Sequence, residues 1–186
     1  MKTVETRQLA APCEIRRKAQ SAYIEGRIPY NSRSEDLGGF VEVIAPGAFK
    51  RTLNARGDVK AFWAHDEKEI LGSTAAGTMT LEDRADELHF SIRVPAGSAN
   101  RIESIERGDV QGVSFGFITD PKGEEWDILG PEAIRTLKSV HLLEISPGVA
   151  FPAYPAAHAG AAHRSAPTED GTLAAMRAEV DFYSEG

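Results

Sequence analysis

Apolar residues in this chain come in short runs of about four to seven, broken by turn-forming residues, and no long stretch keeps a helical period. Leu88, Phe90, Ile92 and Val94 alternate with His89, Ser91 and Arg93, the pattern of a strand with one dry and one wet face. Further strands are expected over 22–28, closed by Pro29-Tyr30-Asn31, and over 40–44, 59–64, 70–72, 77–81 and 110–119, the last broken by Pro121-Lys122-Gly123. Residues 133–146 form one long extended candidate. Two helices are expected. One covers 46–53, with Pro46 in its first turn. The other covers 98–107, opened by a Ser98 cap and stopped by Gly108, with Ile102 and Ile105 on one face. Strands do not alternate with long helices, so a doubly wound parallel sheet is disfavoured. The expected fold is mainly β with flanking helices (α+β): a small, mostly antiparallel β-barrel with helices packed outside.

A chain of 186 residues suits one domain and a short tail. Residues 1–20 are polar and read as a frayed arm or an edge strand; 21–155 carry the domain; 156–186 begin Ala-rich and form a tail, with a weak helix over 173–183. Lys plus Arg number 21 against 28 Asp plus Glu, a net charge of −7, which argues against sequence-independent nucleic-acid binding. No stretch approaches the roughly 18–20 apolar residues of a membrane span, and residues 1–11 lack a signal-peptide core. Cys13 is the single cysteine, so neither an intramolecular disulfide nor a multi-Cys zinc site is available. A cytosolic enzyme or binding domain is expected, with no membrane or nucleic-acid partner.

Few residues stand out for chemistry. There is no His-Glu-x-x-His and no Gly-rich phosphate loop, so no metal and no cofactor is expected. His89 sits on a polar strand face, His141 reads as structural, and His158 and His163 lie in the tail. His65 differs: it follows the apolar run Ala61-Phe62-Trp63-Ala64 and precedes a charged turn, a mount that suits a general base. An exposed loop histidine is the plain alternative. Ser114 lies in Gly112-Val113-Ser114-Phe115-Gly116, which spells Gly-x-Ser-x-Gly. A nucleophile elbow needs a helix next, and Phe117-Ile118-Thr119 continue a strand, so the elbow reading fails. A strand serine chosen for size and a serine beside an approaching substrate backbone both remain. Glu144, between Leu143 and Ile145, is costly to bury unless paired, for example with an imidazole; a glutamate on a wet face is the alternative.

Taken in order, these segments resemble the prohead proteases of tailed phages of the HK97 type, over roughly residues 20–157. The resemblance rests on Gly39-Phe40-Val41-Glu42-Val43-Ile44-Ala45-Pro46-Gly47-Ala48-Phe49, on Phe62-Trp63-Ala64-His65-Asp66 with Leu71-Gly72 after it, on Val113-Ser114-Phe115-Gly116-Phe117, and on Leu143-Glu144-Ile145-Ser146-Pro147 leading to Phe151-Pro152-Ala153-Tyr154-Pro155. Gly148 looks like a one-residue addition to the family's commoner form. The resemblance implies a serine endopeptidase with a barrel similar to herpesvirus maturational proteases. The family's histidine, serine and orienting acid map to His65, Ser114 and Glu144. Backbone donors for the oxyanion are expected from the loop after Glu144, at Gly148, Val149 or Ala153, since Pro147 and Pro152 have no N–H.

The implied role is removal of the scaffolding part of the major capsid protein, and of the protease itself, inside the prohead in the bacterial cytoplasm. The portal is a further candidate partner, and a homodimer or higher oligomer is compatible with kinship to viral proteases. Two rivals are a small acyl hydrolase using Ser114 and a non-proteolytic capsid scaffold or assembly protein.

Overall fold

The computed structural model describes residues 3–150, Pro12 and Gln111 excepted. The expectations for the Ala-rich stretch, the helix over 173–183, His158, His163 and Ala153 fall outside them. Among the described residues the elements run β1 (Glu5–Leu9), β2 (Glu14–Lys18), β3 (Ser21–Pro29), β4 (Phe40–Ile44), α1 (Lys50–Asn54), β5 (Lys60–Trp63), β6 (Asp66–Ser73), β7 (Met79–Asp83), β8 (Glu87–Arg93), α2 (Ala99–Glu106), β9 (Gly112–Thr119), β10 (Glu124–Asp127), β11 (Ala133–Leu137) and β12 (Val140–Val149). The protein is mainly β, as the short apolar runs require.

The strands form three sheets: β1-β9-β12-β5-β6, β10-β11-β4 and β2-β3-β8-β7. Only β11–β4 and β12–β5 pair in parallel, so the arrangement is mostly antiparallel. It is not the expected single closed barrel. Both parallel pairings join distant segments, which local patterning does not report. Of the two readings of the first twenty residues, the edge strand is what forms: β1 pairs with β9 and β2 with β3.

Alternation in β8 places Leu88, Phe90 and Ile92 at 0% exposure, against Ile24 and Ile28 of the neighbouring β3. β9 sends Val113, Phe115 and Phe117 into the same core, where Phe115 stacks on Phe117 and meets Phe49 edge-on. By the period of two, Ser114 and Gly116 occupy the opposite face of β9.

Three local expectations need correction. The extended stretch over 133–146 is two strands in different sheets, because the amides of Lys138 and Ser139 both bond the Gly123 carbonyl, at 2.7 and 2.9 Å, and turn the chain. The helix expected from Pro46 begins at Lys50, since Ala48 N–H first closes a turn onto the Ala45 carbonyl at 3.0 Å. Ser98 holds the cap position of α2, but its hydroxyl makes no capping bond and is buried without a partner among the described residues.

A buried ion cluster fastens the three-stranded sheet to β1. Arg135, at 0% exposure, donates to Glu5 and Glu42 at 2.5 and 2.9 Å and pairs with Glu124, while Arg7 donates to Glu42 through two nitrogens at 2.7 Å and to Glu5 at 3.0 Å. Arg135 lies opposite Glu42 in the β11–β4 register, so sheet pairing itself sets the central contact. Burial pushes the Glu5 carboxyl up, but the bond and charge of Arg135, then Thr119 and Arg7, outweigh it and hold the group at about 2 instead of 4.5. A carboxyl depressed on folding stabilises the protein above its unfolded value and loses that contribution as pH falls through its folded value. Glu5 alone should therefore contribute roughly 3 kcal/mol at neutral pH. Urea midpoints should fall progressively between pH 4.5 and about 2. A midpoint flat across that window would contradict this reading.

Candidate active site

The hairpin joining β5 to β6 has a two-residue turn, Ala64-His65, closed by the Trp63–Asp66 pair. Both turn residues have positive φ, +50° and +64°. Such turns usually take Asn-Gly. A non-glycine residue in this region costs on the order of 1–2 kcal/mol, so two in succession are held by tertiary contacts. One is Ala64 N–H to the Pro147 carbonyl, 2.9 Å. Another is packing of Gly148 on Trp63: at φ +97°, a Cβ on Gly148 would stand 2.8 Å from the indole. Gly148 thus lets β12 pass beneath the residue that begins the turn, and β12 bulges between Pro147 and Val149.

The turn places His65 against Glu144. His65 Nδ1 lies 2.8 Å from Glu144 Oε1. An ionised carboxylate only accepts, so Nδ1 carries a proton, and in the neutral ring the lone pair is left on Nε2. Nε2 is buried and has no hydrogen-bond partner among the described residues. The second carboxylate oxygen accepts from Ser146 Oγ at 2.9 Å. Burial pushes the Glu144 carboxyl up, but the bond and charge of His65 and the Ser146 hydroxyl more than offset it, leaving the group below its usual range. Glu144 is thus an anion facing an imidazole.

Ser114 stands on the adjoining strand, directly opposite Ser146 in the β9–β12 register, with Gly116 opposite Glu144. A Cβ on Gly116 would lie 2.8 Å from Glu144 Cγ, so the carboxylate side chain crosses the face that Ser114 shares. Ser114 is fully buried, and its hydroxyl donates to the Arg7 carbonyl on β1 at 2.7 Å. Across the sheet the order is therefore Arg7, Ser114, Ser146 with Glu144, then His65. The structure brings His65 and Glu144 into contact. It sets Ser114 one strand away, with its hydroxyl turned toward β1.

Among the oxyanion candidates, Gly148 and Val149 end β12. His89 is half-buried on β8, opposite Arg27 and Glu82, and His141 pairs with Ile118. In the sequence Ser146 figures only within the Leu143–Pro147 segment, with no role given to it. Its signal was its place two residues after Glu144 on a strand, which puts both side chains on one face.

A mainly β protein that holds an imidazole–carboxylate pair, with a ring nitrogen unpartnered among the described residues and a buried serine on the strand next to the carboxylate's, has the parts of an acyl-transfer enzyme. Sequence comparison narrows this class. The profile of the caudovirus prohead serine proteases matches residues 11–170 of the 186, and the chain belongs to that family of serine peptidases. No curated protein and no solved structure matches the chain.

One prediction follows from the clearance at Gly116. Gly116→Ala places a methyl against Glu144 Cγ and Oε1. Where Glu144 orients the imidazole, displacing it by about 1 Å costs roughly 100-fold in rate, so peptidase activity should fall by about that factor. Proteolysis rates beside thermal melts check this; wild-type activity in a folded variant would contradict it.

Proposed function

We propose that the chain is the endopeptidase of capsid maturation, with Ser114 as nucleophile, His65 as general base and Glu144 as orienting acid. It removes the scaffolding part of the major capsid protein inside the prohead, and then cleaves itself, with the Ala-rich stretch 156–162 as a self-cleavage or anchoring region. The observation that carries this reading is His65: Nδ1 is fixed by Glu144, which sits on the strand next to that of Ser114, while Nε2 is buried and has no partner among the described residues.

The chemistry follows from the groups. A serine hydroxyl is scarcely ionised at neutral pH, so attack needs a base. For attack, Ser114 gives up its hydrogen bond to the Arg7 carbonyl and passes its proton to His65 Nε2. Oγ then bonds to the scissile carbonyl carbon, and the carbonyl π electrons move to oxygen. Glu144 stabilises the imidazolium. Collapse breaks the C–N bond, and Nε2 returns the proton to the leaving amine. Water repeats the sequence on the acyl-enzyme, with His65 again as base, and frees the acid and Ser114. The oxyanion is assigned to backbone N–H groups between Gly148 and Ala153. A substrate-analogue complex with no such N–H near the oxyanion would overturn that assignment.

The reading is tested by co-expressing the chain with the major capsid protein of the same phage and weighing the capsid protein by mass spectrometry. Wild type should shorten it and His65→Ala should leave it full length. Shortening by His65→Ala, or none by wild type in assembling proheads, would contradict the proposal.

A further inference from the structure

We propose that Ser146 is a positioning residue of this site: its hydroxyl holds one oxygen of Glu144 so that the other meets His65 Nδ1. The inference rests on the triad reading and adds a fourth side chain to it. Ser146 is fully buried, and its hydroxyl donates to Glu144 Oε2 at 2.9 Å while Oε1 meets His65 at 2.8 Å. Both carboxylate oxygens are thereby committed. A glutamate's terminal torsion is soft and roughly two-fold, so one bond to an imidazole does not by itself fix the carboxylate plane. Two bonds on different oxygens do. Gly116 supplies the third boundary, since its missing side chain is the space Glu144 occupies.

The position of Ser146 supports this role over two others. A buried hydroxyl is costly unless bonded. A serine kept only for its volume would not aim its proton at a carboxylate that another residue already engages. Nor is Ser146 placed as a nucleophile. Its proton is held by Glu144, and the ring nitrogen nearest that carboxylate, Nδ1, is occupied by the same group. Ser114, directly across the strand pair, has a carbonyl as acceptor, so its proton is not committed to a carboxylate.

The test is a double-mutant cycle read with a fluorophosphonate probe, which bonds its phosphorus to an activated serine oxygen and expels fluoride. It needs no knowledge of cleavage preference. Second-order labelling rates are measured on the purified full chain for wild type, Ser146→Ala, Ser146→Thr, Glu144→Gln and the Ser146→Ala/Glu144→Gln double variant. Residues coupled through one hydrogen bond show interaction free energies equivalent to about tenfold in rate, so Ser146→Ala should slow labelling by about that factor. Ser146→Thr keeps the hydroxyl and suits a strand, so it should restore labelling to within about threefold of wild type. In the Glu144→Gln background, Ser146→Ala should change the rate less than about twofold, because the group it acts through is already impaired.

Equal slowing in both backgrounds, a Thr variant as slow as Ala, or an unaffected Ser146→Ala would each overturn the proposal. If Glu144→Gln labels slowly while Ser146→Ala labels normally, only the role of Ser146 falls. If Glu144→Gln labels normally, the triad reading falls with it.

Discussion

Ser114→Ala should abolish processing of the capsid protein, with a rate loss of roughly 10⁴-fold or more, while the folded chain survives. The two halves of that expectation have separate causes. Without the hydroxyl there is no acyl-enzyme, and what remains is binding and oxyanion stabilisation, which give only a small residual rate. The fold is spared because Ser114 contributes little to it. Its hydroxyl makes one hydrogen bond, to the Arg7 carbonyl, and its backbone pairing with β1 and β12 does not depend on the side chain. Losing one neutral hydrogen bond costs about 1 kcal/mol, a melting shift of a few degrees. Mass spectrometry of the capsid protein and a thermal melt check both halves. Processing that continues in a folded Ser114→Ala chain would remove the serine from the mechanism.

The second large effect is on stability. Arg135→Ala should destabilise the protein by about 3–5 kcal/mol, because it leaves Glu5 and Glu42 as buried charges with half their partners gone. Arg7 remains to bind both, so the loss is not that of the whole cluster. Chemical denaturation at pH 7 measures it. A change below about 1 kcal/mol would mean that the cluster is worth no more than an exposed ion pair. The cluster also bears on the site. Arg7 anchors β1 through its guanidinium, and its carbonyl accepts the Ser114 proton. Loosening β1 should therefore disturb the resting position of Ser114 as well as the fold.

What the sequence disclosed and what it hid divide along physical lines. β8 was legible because its apolar residues alternate, and α2 because an apolar face lies between Ser98 and Gly108. β2 and β10 were obscure, since Glu14–Lys18 and Glu124–Asp127 are mostly charged and carry no apolar period. Glu42 and Arg135 gave no warning that their charges pair across neighbouring strands. A single charge in an apolar strand reads as a wet face, and only the β11–β4 register shows them opposed. The break at Lys138-Ser139 was hidden because Gly123, far back in the chain, makes it. At the site, residues alone left His65, Ser114 and Glu144 each with an ordinary alternative. Resemblance to a family joined them, and coordinates brought the first and last into contact. Ser146 stayed hidden, because its hydroxyl matters only once the carboxylate's direction is known.

The central claim is that His65 activates Ser114. The most direct measurement is to map the residue modified by a fluorophosphonate in the purified chain, by peptide mass spectrometry, with and without the imidazole. The account predicts one modified serine, Ser114, and loss of that modification in His65→Ala. Modification at Ser146 instead, or at Ser114 with equal speed in His65→Ala, would contradict it.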